Sequence, residues 1–168
     1  MILTRSEILK EIKNGKLKIT PFNKNNIGPA SIDLEVDNKF RIFDVNKSIS
    51  LSEKTDYKKY TREIKIKDYI EIKPGQFILG ITKERVTLPD NICAWIGGRS
   101  RFARLGLLIH VTAAFIQPGA DNKTVLEIYN LGHQSIKLKP GTKISQLILE
   151  RCEGRAKYKG RFAKQNKV

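Results

Sequence analysis

The chain has 168 residues, the size of one domain, and 40% of them are hydrophobic, which is enough to bury a substantial core. No apolar run approaches the length of a transmembrane helix and the N-terminus lacks a signal-peptide pattern, so we expect a cytoplasmic protein without a membrane span. The formal net charge of +15 indicates an anionic partner or a lysine-rich host composition. No zinc-finger spacing or RNA-binding aromatic motif is present, so nucleic acid is an alternative partner and not our leading expectation.

Residues 3–16 are predicted to form a short amphipathic helix, because apolar residues recur there at helical spacing. Thr4 is the expected N-cap, and Glu7 stands three residues later, where a capping box places its acidic residue. Gly15 suits the C-terminal end of the helix.

After this helix the pattern changes to short β-rich runs separated by turn residues, from "LKITPF" to "KISQLILE". The tripeptide "KPG" occurs twice, and in each case we expect a type II turn with Pro and Gly at its two central positions. The chain is therefore predicted to be mainly β, a sandwich or barrel with one N-terminal helix.

Two polar segments fall outside this pattern. Residues 44–66 are rich in turn residues, and we expect them to cross the surface. Residues 155–168 contain six Lys or Arg and no acidic residue. Composition alone favours a disordered terminus for this tail, and a mobile basic lid over a polyanion is the functional alternative.

The segment "GGRSRFARLG", residues 97–106, places three arginines and a serine between glycines, directly after an apolar run. Guanidinium groups and a hydroxyl bind phosphate oxygens well, so one interpretation is a site for a polyanion. The other interpretation is a solvated basic loop. We expect Gly97 and Gly98 to adopt a backbone conformation that other residues avoid.

Glu127 is the candidate acid for proton transfer, because it lies inside the apolar strand "TVLEIYNLG". Strict alternation places Val125 on the same face as Glu127 and Leu126 on the opposite face. Glu127 therefore lies either on a solvated face or in a site. His110 and Asp33 also lie in strand-like segments, and we interpret both mainly as structural residues.

The sequence does not predict a metal bound by protein side chains. Cys93 and Cys152 each lie among apolar residues and are expected to be reduced, buried thiols. A zinc site would have to be assembled from these two cysteines, His110 and His133, which contain no pair at ligand spacing.

The order of these motifs resembles the dCTP deaminase family, within the trimeric dUTPase-like superfamily, over nearly the whole chain. The segments "ILTRSEILKEIKNGKLKITPF" and "IGPASIDLEVDNKFRIF" are similar to the family's N-terminal helix and first strands. "GRSRFARLGLLIHVTAAFIQPG" is similar to its phosphate loop and following strand. "TVLEIYNLG" is similar to the strand with its catalytic glutamate, and "IKLKPGTKISQLILE" to its closing hairpin.

This resemblance implies a distorted β jelly roll of the dUTPase-like type over residues 1–154, with residues 155–168 as a flexible basic lid over the nucleotide phosphates. It implies a homotrimer with active sites at subunit interfaces. The implied reaction is zinc-independent hydrolytic deamination of dCTP to dUTP and ammonia, in dUMP and dTTP biosynthesis. Mg²⁺ would be bound through the substrate triphosphate, and dTTP would be a candidate inhibitor.

The resemblance also implies roles for individual residues. Glu127 corresponds to the family's general base and acid, which activates water for attack on C4 of cytosine. Ser100, Arg104 and the main-chain carbonyl of Ala113 correspond to the groups that position this water and stabilise charge. The other expected substrate-binding residues are Arg99, Arg101, Phe102 and Ala103 in the phosphate loop, Gln117 at the sugar, Val125 and Leu126 at the cytosine edge, Gln146, and Lys157, Tyr158 and Gln165 in the lid.

Two positions depart from the family pattern. Gln117 stands where the family usually has Asp, and an amide can hydrogen-bond a sugar hydroxyl but cannot act as a base. We therefore expect no dUTP diphosphatase activity, and we keep that activity and the bifunctional reaction to dUMP as alternatives. Arg101 stands where the family often has Ser, and it either adds a phosphate contact or faces solvent. A non-catalytic nucleic-acid-binding β domain is the alternative from another class.

Overall fold

A computed structural model describes residues 1–168, which form fourteen strands and two helices. The strands are β1 (Lys18–Thr20), β2 (Ile32–Glu35), β3 (Lys39–Phe43), β4 (Thr61–Lys65), β5 (Ile70–Ile72), β6 (Phe77–Ile81), β7 (Arg85–Thr87), β8 (Ile92–Gly98), β9 (Leu107–Ile109), β10 (Phe115–Ile116), β11 (Asp121–Asn122), β12 (Val125–Asn130), β13 (Ile136–Leu138) and β14 (Lys143–Arg151). The helices are α1 (Arg5–Lys13) and the single turn α2 (Ser100–Ala103).

The N-terminal helix α1 lies where the sequence predicts it, but its first turn differs. Thr4 is the N-cap residue, yet its hydroxyl lies 3.1 Å from Ser6 Oγ and makes no cap hydrogen bond. Glu7 contacts Arg151 at 3.1 Å instead. The predicted capping box is therefore wrong, because the acidic side chain joins the helix to β14 rather than to its own N-terminus.

All strand pairs are antiparallel, and two sheets contain nine of the fourteen strands. The five-stranded sheet has the order β4-β3-β6-β12-β9, and the four-stranded sheet has the order β10-β8-β14-β2. A core of 25 buried apolar residues lies between their inner faces, with Ile78 and Ile128 on one side and Ala94 and Leu147 on the other. The prediction of a mainly β domain with a short N-terminal helix is confirmed. None of the helices has the length and apolar character needed to cross a membrane.

Both "KPG" segments form the predicted turns. The first joins β5 to β6, with φ of 73° at Gly75 and a 3.0 Å hydrogen bond from Gln76 N to Lys73 O. The second joins β13 to β14, with φ of 82° at Gly141. A positive φ at the second central position is what a type II turn requires, and glycine adopts it without strain.

The predicted surface segment 44–66 is only partly irregular. A 3₁₀ turn at Tyr57–Tyr60 leads into β4, which pairs with β3 and so belongs to the larger sheet. Ile64 packs against the core from this strand. The polar composition of the segment conceals this strand, because β4 is an edge strand with mostly exposed residues.

Glu84, in the turn between β6 and β7, is only 3% exposed. Its Oε2 accepts a hydrogen bond from the main-chain N of Glu35 at 3.0 Å. Burial disfavours the charged form and raises the pKa of Glu84 to about 7 from an ordinary 4.5, although main-chain hydrogen bonds offset part of the effect.

This raised pKa predicts a stability that falls as the pH rises. The folded protein holds the Glu84 proton more tightly than the unfolded chain does, so this contribution is fully present below pH 4.5 and is lost as the pH rises through about 7. Glu84→Gln keeps the neutral shape, and we expect it to raise the free energy of unfolding at pH 8 by about 2 kcal/mol, with little change at pH 5. Chemical denaturation at both pH values, at one protein concentration, measures this. Glu53→Gln, an exposed position, is the control, and equal pH dependence in the two variants would contradict the prediction.

Candidate active site

The candidate acid Glu127 lies on the outward face of β12. Leu126 and Ile128 are fully buried in the core, whereas Val125, Glu127 and Tyr129 alternate with them and are half-buried. The predicted alternation is therefore confirmed. The outward face of β12 is not open solvent, however, because Val125 and Glu127 line a cavity of about 550 Å³.

Three parts of the chain enclose this cavity around β12. The loop after β9 contributes His110 and Ala113, and the turn after β10 contributes Gln117. The tail contributes Tyr158, Phe162 and Gln165, and aromatic residues of β3, β6 and the 3₁₀ turn before β4 complete the wall: Phe43, Phe77 and Tyr57. A tail that composition alone describes as a disordered terminus thus covers the face that contains the candidate acid.

The Glu127 carboxylate has one hydrogen-bond partner. Thr112 Oγ1 donates to Glu127 Oε2 at 2.8 Å, while Oε1 has no partner within the protein and remains available to a ligand or water. The main-chain oxygen of Glu127 accepts from His110 N at 2.7 Å, which joins the loop after β9 to β12. Sequence reasoning missed Thr112, because nothing in the sequence shows that its hydroxyl reaches β12.

His110 shapes the loop that contains Ala113. Its φ is 55°, a left-handed conformation that is uncommon outside glycine, and its ring Nε2 lies 2.9 Å from the main-chain oxygen of Ala113. Because a carbonyl only accepts, Nε2 carries the hydrogen of this bond. Nδ1 is buried without a partner. The histidine therefore fixes the direction of the carbonyl that the family resemblance assigns to water positioning.

The main chain of Val125 is exposed to the cavity side of β12. On that side β12 pairs with β9 only from Ile128 onwards, and the last hydrogen bond is the one that His110 donates to Glu127. Main-chain groups two residues apart point the same way along a strand, so those of Val125 have no partner strand on this side. Their expected contact with a cytosine edge stays a prediction, as does that of Leu126, whose side chain packs into the core.

The basic loop forms a second group of candidate residues. Arg99 is held by Asp33, with Nη2 3.0 Å from Oδ2, and by a hydrogen bond to Lys143 O at 3.0 Å. Gln146 pairs with Asp33 on one side and Gly97 on the other, so it lies beside this ion pair. Ser100, Arg101 and Arg104 are exposed and their side chains make no hydrogen bond or ion pair within the protein, whereas Phe102 packs against the core.

The backbone prediction for Gly97 and Gly98 is wrong, because both belong to β8 and neither has a positive φ. A side chain at Gly97 would meet nothing within 4 Å, so this glycine leaves open space beside Gln146. The positive φ occurs later, at Gly106, where φ is 83° and a Cβ atom would lie 2.5 Å from Gly132 N. Glycine is required there by the turn from α2 into β9.

The two groups of candidate residues do not meet within one chain. No residue of the basic loop lines the cavity, and neither does Gln146. Of the predicted lid residues, Tyr158 and Gln165 line it, while the Lys157 side chain lies over Gly119. Phe162 also lines the cavity, and no sequence motif indicates this role. A single chain therefore offers a half-site with a carboxylate and a separate basic loop.

The structure contains no group of three or more His, Cys, Asp or Glu side chains that could hold a metal ion. Cys93 is buried and Cys152 is half-buried, and both are free thiols. Burial, followed by the neighbouring Cys152 thiol, raises the pKa of Cys93 to about 11, so it is a poor nucleophile and a poor metal ligand near neutral pH.

Comparisons with known proteins identify the family. Residues 2–152 match the family model described as "dCTP deaminase-like". The chain belongs to this family. A relative named "dCTP deaminase, dUMP-forming", from Clavibacter michiganensis subsp. michiganensis, is 40% identical over 159 residues, which is 94% of this chain and 79% of the relative. The predictions of the dCTP deaminase family and of a hydrolase of nucleotide metabolism are confirmed.

Solved structures support the fold of this dCTP deaminase-like chain. A 2'-deoxycytidine 5'-triphosphate deaminase from Agrobacterium tumefaciens matches with a TM-score of 0.72 at 21% identity, covering 90% of this chain, and this chain spans 48% of that protein. A dUTPase of Staphylococcus bacteriophage 80alpha matches with a TM-score of 0.51 at 14% identity, covering 86% of this chain and 96% of that one. The predicted dUTPase-like fold is confirmed.

Proposed function

We propose that this protein deaminates dCTP hydrolytically, with Glu127 as the group that moves protons. The observation that supports this most strongly is a carboxylate in a cavity wall, with one oxygen free, beside a carbonyl whose direction is fixed. Glu127 takes a proton from water as the water oxygen attacks C4 of cytosine. It delivers this proton to N3, then takes the remaining proton from the new C4 hydroxyl and passes it to the amino group, so that the C4–N bond breaks, ammonia leaves and C4=O forms.

The Ala113 carbonyl complements this chemistry because it is an acceptor only. It can hold the attacking water, or the amino group of cytosine, at a defined position beside Glu127. His110 keeps it there through the 2.9 Å contact at Nε2. The unpartnered main-chain groups of Val125 would hydrogen-bond the edge of the pyrimidine ring, which makes the cavity a site for a flat polar base.

We infer that the basic loop of a neighbouring protomer completes the site, in a homotrimer. The half-site with Glu127 contains no arginine, whereas a triphosphate needs several fixed donors. Arg99, Ser100, Arg101 and Arg104 supply such donors but lie outside the cavity of their own chain. An exposed aromatic pair near the cavity, Trp95 and Phe115, with ring centroids 5.0 Å apart, is a surface that subunit contact would cover.

Mg²⁺ would enter this site with the nucleotide rather than through protein ligands. Its role would be to neutralise part of the triphosphate charge, together with the arginines of the basic loop. Lys157, which lies over Gly119 at the edge of the cavity, would add a further cation on the lid side. The family match gives no support to the alternative of a non-catalytic nucleic-acid-binding domain.

Two observations favour different products, dUTP and dUMP. Gln117 lines the cavity, and its side chain makes no hydrogen bond within the protein, so it can contact a sugar but cannot activate water for attack on phosphate. This favours dUTP as the product. The name of the Clavibacter relative states that dUMP is formed by that protein, which favours release of pyrophosphate as a second step and is the second candidate function here.

Incubating the purified protein with dCTP and Mg²⁺, and separating the products by chromatography, tests both points. We expect dUTP and ammonia in equal amounts, with no pyrophosphate. Formation of dUMP with pyrophosphate would establish the second candidate, and no turnover of dCTP would overturn the proposed function. Gln117→Asp restores a carboxylate at this position, and we expect it to form dUMP if the missing acid is what prevents hydrolysis.

A further inference from the structure

The last residue of the tail lies in an apolar cluster. Val168 is fully buried, and it packs in the second apolar cluster of the protein rather than in the main core. The residues around it, which we call the latch socket, are Phe43, Tyr57, Leu79, Ile81 and Val125. We propose that insertion of Val168 into the latch socket is the device that holds residues 155–168 closed over the cavity.

The latch socket lies in one cross-strand row with the candidate acid. Leu79 pairs with Glu127 on β12 and with Arg41 on β3, so the three side chains share the outward face of the larger sheet. The socket is therefore next to the cavity, and the 3₁₀ turn with Tyr57 closes its far side. This gives the turn before β4 a function that its polar sequence does not suggest.

Arg41 fixes the main chain of the tail at the socket. Its Nη1 donates to Val168 O at 3.2 Å, while its Nε donates to Thr61 Oγ1 at 2.7 Å and its Nη2 to Thr61 O at 3.1 Å. The two hydrogen bonds to Thr61 do not involve the tail, so they hold the guanidinium in place whether or not the tail is docked. An arginine already oriented by its own sheet loses little entropy when it binds another carbonyl.

The rest of the tail is held by exposed side-chain contacts, such as the ion pair of Arg155 with Asp90 at 3.2 Å, and by main-chain hydrogen bonds at the edge of β11 and β12. Asp121 N donates to Ala163 O at 3.1 Å, and Lys123 N donates to Gln165 O at 2.9 Å. Such bonds at an exposed edge exchange readily with water and add little net stability. Burial of Val168 is the apolar contribution that the tail makes at its far end, so we infer that it decides whether these bonds persist.

The docked tail leaves the cavity open inside. Tyr158, Phe162 and Gln165 line the cavity, but Val168 does not, because it fills the socket beside it. The latch therefore closes a lid over a space of about 550 Å³ and does not plug it. The consequence for turnover rests on the proposed function: a nucleotide would enter when Val168 leaves the socket and be retained when it returns.

Hydrogen exchange at single amides tests the latch without any assay of activity. The N–H groups of Asp121 and Lys123 are covered by the tail, so their exchange reports its docking. In Val168→Asn, a polar amide must enter the apolar socket, and we expect both amides to exchange about tenfold faster than in the unaltered protein. Lys167→Ala, an exposed neighbour, is the matched control and should leave both rates unchanged.

Core amides in β8 and β14, such as those of Ala94 and Leu149, show whether the variant remains folded. If they lose protection in Val168→Asn, then Val168→Ala replaces it, with a smaller acceleration expected at Asp121 and Lys123. Unchanged exchange at these two amides in a folded variant would overturn the latch. In the dCTP assay we expect a KM about tenfold higher with a similar kcat. If the unaltered protein does not turn over dCTP, the proposed function fails while the exchange result still decides the latch.

Discussion

Glu127→Gln is expected to lower the rate of dCTP deamination by about 10³-fold, because the amide cannot take a proton from water or return one to the leaving amino group. The substitution keeps the shape of the side chain and an oxygen that can still accept the hydrogen bond from Thr112. Binding of dCTP and assembly should therefore change little. Ammonia release under saturating dCTP measures the rate, and calorimetric titration with dCTP measures binding.

Glu153→Gln, at an exposed position outside the cavity, is the matched control and should deaminate dCTP at the unaltered rate. Turnover by Glu127→Gln within tenfold of the unaltered protein would exclude Glu127 as the proton-transfer group. Loss of dCTP binding together with turnover would show instead that the carboxylate holds the base, and that another group moves the protons.

The features of this structure that can be predicted from the sequence are those that depend on residues adjacent along the chain. Alternation around Leu126 and Ile128 places Glu127 on the outward face of β12, because side chains of a strand alternate strictly. The turn at Gly75 follows from the conformational preferences of its own two central residues. Local rules decide these features, and no distant contact competes with them.

The predictions fail where a contact between residues far apart in the sequence replaces the locally expected conformation. Thr4 and Glu7 satisfy the local pattern of a capping box, but Arg151 of the last strand offers Glu7 an ion pair instead. Gly97 looks like a flexible loop residue beside arginines, yet it is paired with Gln146 inside the sheet. Both outcomes depend on how β14 crosses the fold, which no short segment of the sequence reveals.

The candidate site also contains both kinds of residue, those that the sequence indicates and those that only tertiary contacts bring into place. The resemblance supplies Glu127 and the basic loop, but neither composition nor spacing shows that they lie apart in one chain. Tyr57, Thr112 and Phe162 reach the site through tertiary contacts of a 3₁₀ turn, a loop and the tail, and their own sequence neighbourhoods are polar or irregular. Residues of this kind can be found only once the strands that bring them together are placed.

The second large effect is expected at Arg104, which lies apart from Glu127 within one chain. Arg104→Ala should lower kcat/KM for dCTP by about 10²- to 10³-fold, because it removes a charged donor from the triphosphate and from the developing charge. Arg62→Ala, an exposed arginine on β4, is the control for the loss of one positive charge and should have little effect. On its own this result does not show which chain supplies the arginine.

Mixing the Arg104→Ala and Glu127→Gln variants shows which chain supplies the arginine. If each site takes Glu127 from one chain and Arg104 from its neighbour, a chain with Arg104→Ala can still donate an intact Glu127, and a chain with Glu127→Gln an intact Arg104. Random assembly of equal amounts then gives about one quarter of the sites both groups, so roughly that fraction of activity should return after the variants are unfolded and refolded together. A site built within one chain can never contain both groups in such a mixture. Continued inactivity of refolded mixed trimers would therefore place the phosphate-binding arginine and the catalytic acid in the same chain, and would require the basic loop to move toward Glu127 on binding dCTP.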